Sequence, residues 1–432
     1  MKRIGSGRLS LRFPESFDRD LRLLTYSMSF RRVSMGFLEV VRAIYFSLLG
    51  YSPVQIGLLL SIATFVSALH SIVFGYLSDR YGRKVFFVLG GVFASLRMVI
   101  FAMSSDFWPL ALAQGIGALG EGAGAGQPVV SAYISDKSEV LDRPKIFSTL
   151  AVTNALAATV GALLAGFPAI FQKTWGFDVV GAHALLFWIG AVGSFISILF
   201  VLPMKDVKAE KKEAQEGGGK FLNVKDWGVI ARFSLVRSTS GLGWGLIESL
   251  LPLYFFIKFG VAGEVLGPIY AVTRFLTVLS YGFVPVVIEK FGEIQAMVGS
   301  RFISGILTVA FSMTPWYPVA VLLMMALRIA IMFTQPIRQT LATTIVDPDE
   351  MATSIGISSF ARMSLRSVAP TIAGYMFEVI SLSLPFMIGA GFLALNGILY
   401  KVFYQQAEGK KRPSSHAPVS YTHLTLPTTP YV

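Results

Sequence analysis

The chain has 432 residues, 54% of them hydrophobic and only 14% charged, with a mean hydropathy of +0.63 and a formal net charge of +12. Soluble domains carry about 25% charged residues, so this excess of apolar side chains needs lipid as its solvent. The absence of cysteine excludes disulfides, thiolate catalysis and cysteine-ligated metals.

The first 22 residues are rich in arginine and lack an apolar stretch. No cleaved signal peptide is expected, and the first spanning helix serves as the insertion signal. Twelve apolar blocks follow, at 27–50, 54–78, 84–105, 108–134, 146–171, 182–203, 229–258, 264–289, 294–314, 317–345, 352–381 and 384–404. Blocks of this length cross a hydrocarbon core of about 30 Å as helices. The polar stretch 204–228, with Lys211, Lys212 and Gly217 to Gly219, reads as a linker between two groups of six. The expected organisation is therefore a segment 1–26, a bundle 27–203, a linker 204–228, a bundle 229–404 and a polar tail 405–432. The end of that tail, 420–432, matches nothing else in the chain and looks like translated adaptor sequence, so it is set aside.

Lysine and arginine crowd the N-terminus and the connections near 80–84, 137–145, 205–225 and 401–412. The intervening short connections near 51–53, 104–106, 315–316 and 381–384 hold none. This is the positive-inside pattern, which predicts both termini in the cytoplasm of a multi-pass protein of the cell membrane. Nucleic-acid binding accounts poorly for charges placed this way.

The two groups of helices repeat. Gly36, Glu39, Tyr45 and Phe46 recur as Gly245, Glu248, Tyr254 and Phe255, all 209 positions on, and Gly57 and Gly82 recur as Gly267 and Gly292, 210 positions on. In the last block Phe187 and Gly190 recur as Phe386 and Gly389 at 199, because the connection 172–181 is longer in the first half. The near-constant offset carries the inference. Six helices per half make the repeats parallel, and such repeats place a substrate site near the midplane between halves. The fold expected is an all-α polytopic membrane protein of twelve transmembrane helices in two six-helix repeats.

The connection after the second block reads Gly75-Tyr76-Leu77-Ser78-Asp79-Arg80-Tyr81-Gly82-Arg83-Lys84. In this position, within a repeated twelve-block chain, it resembles the signature loop of the major facilitator superfamily of secondary transporters. That resemblance implies a cytoplasmic gate formed by Gly75, Leu77, Asp79, Arg80, Gly82, Arg83 and Lys84. Asp79 would face the N-terminal end of the eleventh helix near Met351, and Arg83 would pair with Asp136. The second half keeps only a degenerate copy, with Pro285, Glu289, Lys290 and Gly292, followed by Glu293 and Ile294. Two departures weaken proton-coupled drug antiport as a reading. The motif at Gln114-Gly115-Ile116-Gly117 has Ala111 where the family usually shows arginine, and the fifth helix has Phe167-Pro168 where many antiporters show Gly-Pro.

Charges inside spanning helices cost roughly 2.5–3.5 kcal/mol each at the bilayer centre, so each marks a functional hypothesis. Glu39 and Arg42 share a face of the first helix and either pair with each other or line a cavity; Glu39 has a repeat mate in Glu248. Glu121 lies in the glycine-rich run 120–126 and reads either as packing or as a proton site. Arg97 and Arg328 sit deep, whereas Arg274 and Arg338 read as snorkelling to helix ends. The candidate proton and substrate site is thus Glu39, Arg42, Arg97, Glu121, Glu248 and Arg328. His70 and His183 read as structural.

No phosphate-binding loop, metal-ligand spacing or nucleophile motif is present, so neither an enzyme nor a cofactor is expected. A small-molecule substrate, protons as coupling ion, the lipid bilayer and a functional monomer are. Efflux of amphipathic compounds, organic-anion transport and a non-transporting membrane sensor stay open, with efflux preferred for its three membrane glutamates and its many phenylalanines.

Overall fold

The computed structural model describes residues 17–120, 127–138, 142–206, 227–338, 341 and 351–409, and no strand occurs among them. The first half comprises α1 Arg19–Leu48, α2 Pro53–Tyr81, α3 Arg83–Met103, α4 Phe107–Gly120, α5 Gln127–Lys137, α6 Arg143–Leu164, α7 Phe167–Trp175 and α8 Val179–Val201. The second comprises α9 Trp227–Glu248, α10 Leu251–Phe259, α11 Gly263–Ser280, α12 Val284–Phe291, α13 Glu293–Met313, α14 Tyr317–Phe333, α15 Met351–Val379 and α16 Leu384–Gly409.

Local chemistry sets the boundaries. α1 begins at Arg19, before the apolar block at 27, because the Asp18 carboxylate accepts from the Leu21 amide at 2.7 Å and caps two turns of mixed polarity. At α2, Ser52 and Gln55 form a reciprocal capping box with Pro53 in the first turn. Three expected spans are interrupted. Pro168, Pro252 and Pro285 each open a new helix, because proline lacks the N–H that would continue the ladder. Allowing for such breaks, eight segments among the described residues are long and apolar enough to cross a membrane, and Pro53–Leu69 is a shorter apolar stretch. α1 falls outside that group because it carries Arg31, Arg32, Glu39 and Arg42, and α15 because it is rich in serine and holds Arg362 and Arg366.

The repeat seen in the sequence is a repeat of contacts. α1 packs on α6 and α8, α3 on α4 and α8, and α2 on α4; the second half pairs α9 with α15 and α16, α13 with α14 and α16, and α11 with α14. The main contacts between halves follow the same exchange, α2 against α15 and α6 against α11. Gly57 and Gly267 occupy equivalent places there. A Cβ on Gly57 would lie 2.8 Å from the Pro370 carbonyl carbon, and one on Gly267 would overlap the Ala162 carbonyl oxygen. Only glycine permits this backbone approach.

Aromatic packing repeats in detail. Tyr45 meets Phe187 edge-on at 4.9 Å and Tyr254 meets Phe386 at 4.7 Å, while Phe101–Phe187 and Phe311–Phe386 stand at 5.5 and 5.2 Å. The Tyr45 hydroxyl donates to the Phe101 carbonyl at 3.2 Å and the Tyr254 hydroxyl to the Ser312 carbonyl at 3.3 Å. Edge-on pairs of this kind contribute about 0.5–1.5 kcal/mol each beyond area burial. On the outer face the polarity is the reverse of a soluble protein's. Trp188, Val192, Phe195 and Leu199 form an exposed apolar stripe along α8, and Phe302, Ile306 and Met313 along α13. Such stripes suit hydrocarbon rather than water.

Candidate functional site

Four charges meet where the halves join. Glu39 comes from α1, Arg274 from α11, Arg328 from α14 and Glu248 from the last turn of α9. Arg328 Nη2 donates to Glu39 Oε1 at 2.6 Å and to Glu248 Oε1 at 2.6 Å. Arg274 donates through Nη2 to Glu39 Oε2 and through Nη1 to the Ala158 carbonyl of α6. The Arg328 guanidinium also lies 4.3 Å from the centre of the Tyr270 ring. Two cations therefore face two carboxylates in a largely desolvated site, where charge-assisted hydrogen bonds are strongest.

The cluster is asymmetric in its openness. The Glu39 side chain is 36% exposed, against 18% for Arg274, 11% for Arg328 and 12% for Glu248. Glu39 is thus the most accessible member of the cluster. Three buried polar atoms beside it, Glu248 Oε2, Arg328 Nη1 and the Tyr270 hydroxyl, have no hydrogen-bond partner among the described residues. Such atoms are costly unless a ligand or water meets them.

The other predicted members are placed differently. The salt bridges of Glu39 run to Arg274 and Arg328, not to its neighbour Arg42, whose Nη1 donates to Gln114 Oε1 at 3.2 Å. Arg97 is 1% exposed on α3, in room that Gly117 of α4 leaves; a Cβ there would lie 2.8 Å from its Nη1. Glu121 lies outside the described residues. Arg274 corrects the snorkelling expectation: it reaches across the junction, where the Glu39 carboxylate and the Ala158 carbonyl accept from its guanidinium. His183 is held as expected of a structural histidine, with Nδ1 2.7 Å from the Val179 carbonyl oxygen and its ring stacked on Tyr45; the His70 side chain lies outside the described residues.

At the signature loop, Gly82 has a φ of 91° and Gly292, its repeat mate, 84°, a turn that glycine makes without strain. Arg83 Nη2 pairs with Asp136 at 3.1 Å. Lys84 donates from Nζ to the Leu202 carbonyl at 2.6 Å, complementing the C-terminal end of α8. Its backbone N–H donates to Asp206 at 3.3 Å. Asp206, missed from the sequence, also abuts Gly82. Arg80 is exposed beside the Tyr81 ring, 5.8 Å from its centre, and Leu77 is half-buried. Gly75 lies within α2, and the Asp79 side chain, with its expected approach to α15, lies outside the described residues.

Comparison with known proteins agrees with this architecture. The sequence model of the Major Facilitator Superfamily matches residues 26–370. The chain is 22% identical over 395 residues to an uncharacterized membrane protein, YJR124C, of Saccharomyces cerevisiae, covering 83% of this chain and 88% of that one. It is 22% identical over 405 residues to the quinolone resistance protein NorA of Staphylococcus aureus, covering 91% and 98%. A bacterial homologue of the human lysosomal transporter Spinster, solved in an inward-facing and unoccupied conformation, superposes with a TM-score of 0.71 at 19% identity, over 92% of this chain and 98% of that one.

Proposed function

The chain belongs to the Major Facilitator Superfamily, and on that premise we propose that this transporter exports small amphipathic compounds in exchange for protons by alternating access. One observation carries the reading: Arg328 and Arg274 of the second half both hold Glu39 of the first. A proton on Glu39 removes the charge that ties the halves together. A bound cationic or amphipathic solute competes for the same carboxylate. Loading and separation of the halves are thereby linked through one group, which is the requirement for coupled transport. The resemblance to a quinolone resistance protein supports efflux over uptake.

The positive-inside pattern supports twelve spans with both termini cytoplasmic, in the cell membrane. Pro53, Gly263 and Glu378 then face outward, and the close packing of α2 on α15 and of α6 on α11 seals that side. The bundles are 27–203 and 229–404, joined by a cytoplasmic linker. A monomer suffices, since one chain supplies every member of the cluster. Organic-anion transport is less well supported here, because Arg274 and Arg328 already have carboxylate counter-charges.

The test is reconstitution in liposomes with an internal pH-sensitive dye. Amphipathic cations should move protons in the opposite direction, and an imposed proton gradient should drive their accumulation. Silence with every solute class would favour a sensor, and proton-independent flux of organic anions would favour the rival reading.

A further inference from the structure

A second set of arginines takes no part in the central cluster. Arg237 on α9, Arg301 on α13, Arg338 just beyond α14 and Arg362 on α15 all lie in the second half. Arg237 stands eleven positions before Glu248, about 16 Å along a helix. Arg301 is the deepest: it is 1% exposed, and Nε, Nη1 and Nη2 are all buried with no hydrogen-bond partner among the described residues. A guanidinium is permanently charged and carries five donors. Buried without a counter-charge, it is among the most costly groups a fold can hold.

The described residues around it do not supply one. Among the described residues, the charged or titratable neighbours that act most strongly on Arg301 are Arg338 and Tyr400, and on Arg362 they are Arg366, Arg237, Arg338 and Tyr400. These are like charges and a phenol. The helices are nevertheless built to bring them together. Ser354, Ser358 and Arg362 are spaced four apart and share a face of α15. Arg237 Nη1 donates to Ser358 Oγ at 3.1 Å, and buried Ser354 Oγ has no partner among the described residues. Gly241 lets α9 lie against this face, since a Cβ there would stand 2.8 Å from Arg362 Cγ; Gly397 of α16 does the same for Arg301, 3.2 Å from its Cβ.

We propose that Arg237, Arg301, Arg338 and Arg362 form an anion site inside the second half, taking a phosphate group. Several convergent guanidiniums with hydroxyls beside them match a compact multivalent oxyanion. The phosphate comes either from a soluble phosphate compound or from the headgroup of an anionic phospholipid. Half-buried Arg338 and Arg362 give it a way in.

The experiment measures thermal unfolding of the purified full chain, in detergent with pyrophosphate against chloride at equal ionic strength, and in nanodiscs with phosphatidic acid against phosphatidylcholine alone. A rise in Tm with pyrophosphate identifies a soluble ligand, and a rise in phosphatidic acid discs alone identifies a headgroup; both support the site. Arg301→Met should raise the Tm of the ligand-free protein, by removing an unmatched charge, and abolish the response. Arg362→Gln and Arg338→Gln, at more open positions, should each weaken pyrophosphate or lipid binding about tenfold and carry the test if Arg301→Met does not fold. No response to either phosphate source, or a response that Arg362→Gln and Arg338→Gln leave intact, overturns the proposal.

Discussion

Glu39 and Glu248, equivalent positions of the two repeats, accept hydrogen bonds from the same nitrogen of Arg328, each at 2.6 Å. Two carboxylates so close together repel unless a cation stands between them. Arg328 is therefore the keystone of the junction, and Arg274 adds a second hold on Glu39 alone. The first half contributes one carboxylate, and the second contributes a carboxylate and both cations. An internally symmetric fold thus carries an asymmetric ion cluster, in which one carboxylate of the first half is gripped by the opposite half.

Arg328→Met should be strongly destabilising, by about 3–5 kcal/mol, because it strands a largely buried Glu248 and leaves Glu39 with Arg274 only. Adding Glu248→Gln should recover part of that loss, with a coupling of about 0.5–3 kcal/mol. Thermal unfolding of the purified single and double variants in detergent reads both values. Additive losses would show that Arg328 and Glu248 do not depend on each other.

Glu39→Gln removes the two ion pairs that Glu39 makes with the other half while keeping the side-chain shape. Substrate should still equilibrate across liposomes carrying this variant, but an imposed proton gradient should no longer drive accumulation. Paired measurements of solute flux and dye response separate the two. Accumulation at the wild-type level would mean that the coupling proton binds elsewhere.

The sequence exposes much of this arrangement and conceals part of it for physical reasons. The repeat was legible because equivalent packing places demand the same residues: Tyr45 and Tyr254 need a ring and a hydroxyl, and Gly57 and Gly267 need the absence of a Cβ. The charges of the cluster were legible one at a time, as expensive groups in apolar spans. Their partners were not. Arg274 stands 235 positions from Glu39, and one-dimensional nearness to a helix end suggested a headgroup instead. Glu39 and Arg42 share a helical face, yet Arg42 turns to Gln114, a contact between helices that periodicity cannot reveal. Breaks at Pro168, Pro252 and Pro285 were hidden because hydropathy runs through them without a change in composition.

The contact between halves is open to direct chemistry, since the chain has no cysteine of its own. Ser61 Oγ and Thr371 Oγ1 are 2.7 Å apart across α2 and α15, close enough for a disulfide between cysteines at those positions. Oxidising the double variant Ser61→Cys, Thr371→Cys should arrest transport, and reductant should restore it. Crosslinking that leaves turnover intact would show that α2 and α15 stay together throughout the cycle.

The repeated tyrosines should differ in cost. Tyr45→Phe loses one hydrogen bond, worth about 1 kcal/mol. Tyr254 donates to Ser312 and also accepts from Lys258 Nζ at 2.6 Å, so Tyr254→Phe should cost about 1–3 kcal/mol. Denaturation midpoints of the two variants, taken side by side in the same detergent, give the comparison. Equal losses would imply that Lys258 is satisfied by the Ser312 and Thr314 carbonyls alone, 3.2 and 3.0 Å away.

Arg83 and Asp136 offer a test of the signature loop that does not depend on the Asp79 side chain. Asp136→Asn should lower both stability and transport, since the Arg83 side chain is only 6% exposed and loses its 3.1 Å partner. The exchange Arg83→Asp with Asp136→Arg should recover stability. It places an acid at the N-terminal end of α3 and a base near the C-terminal end of α5, both favourable to the helix dipoles by about 0.3–1 kcal/mol. If the pair serves only as a tie between helices, transport returns with stability. If stability returns and transport does not, Arg83 acts on the gate through its own charge, as the resemblance of the loop to the superfamily's signature implies.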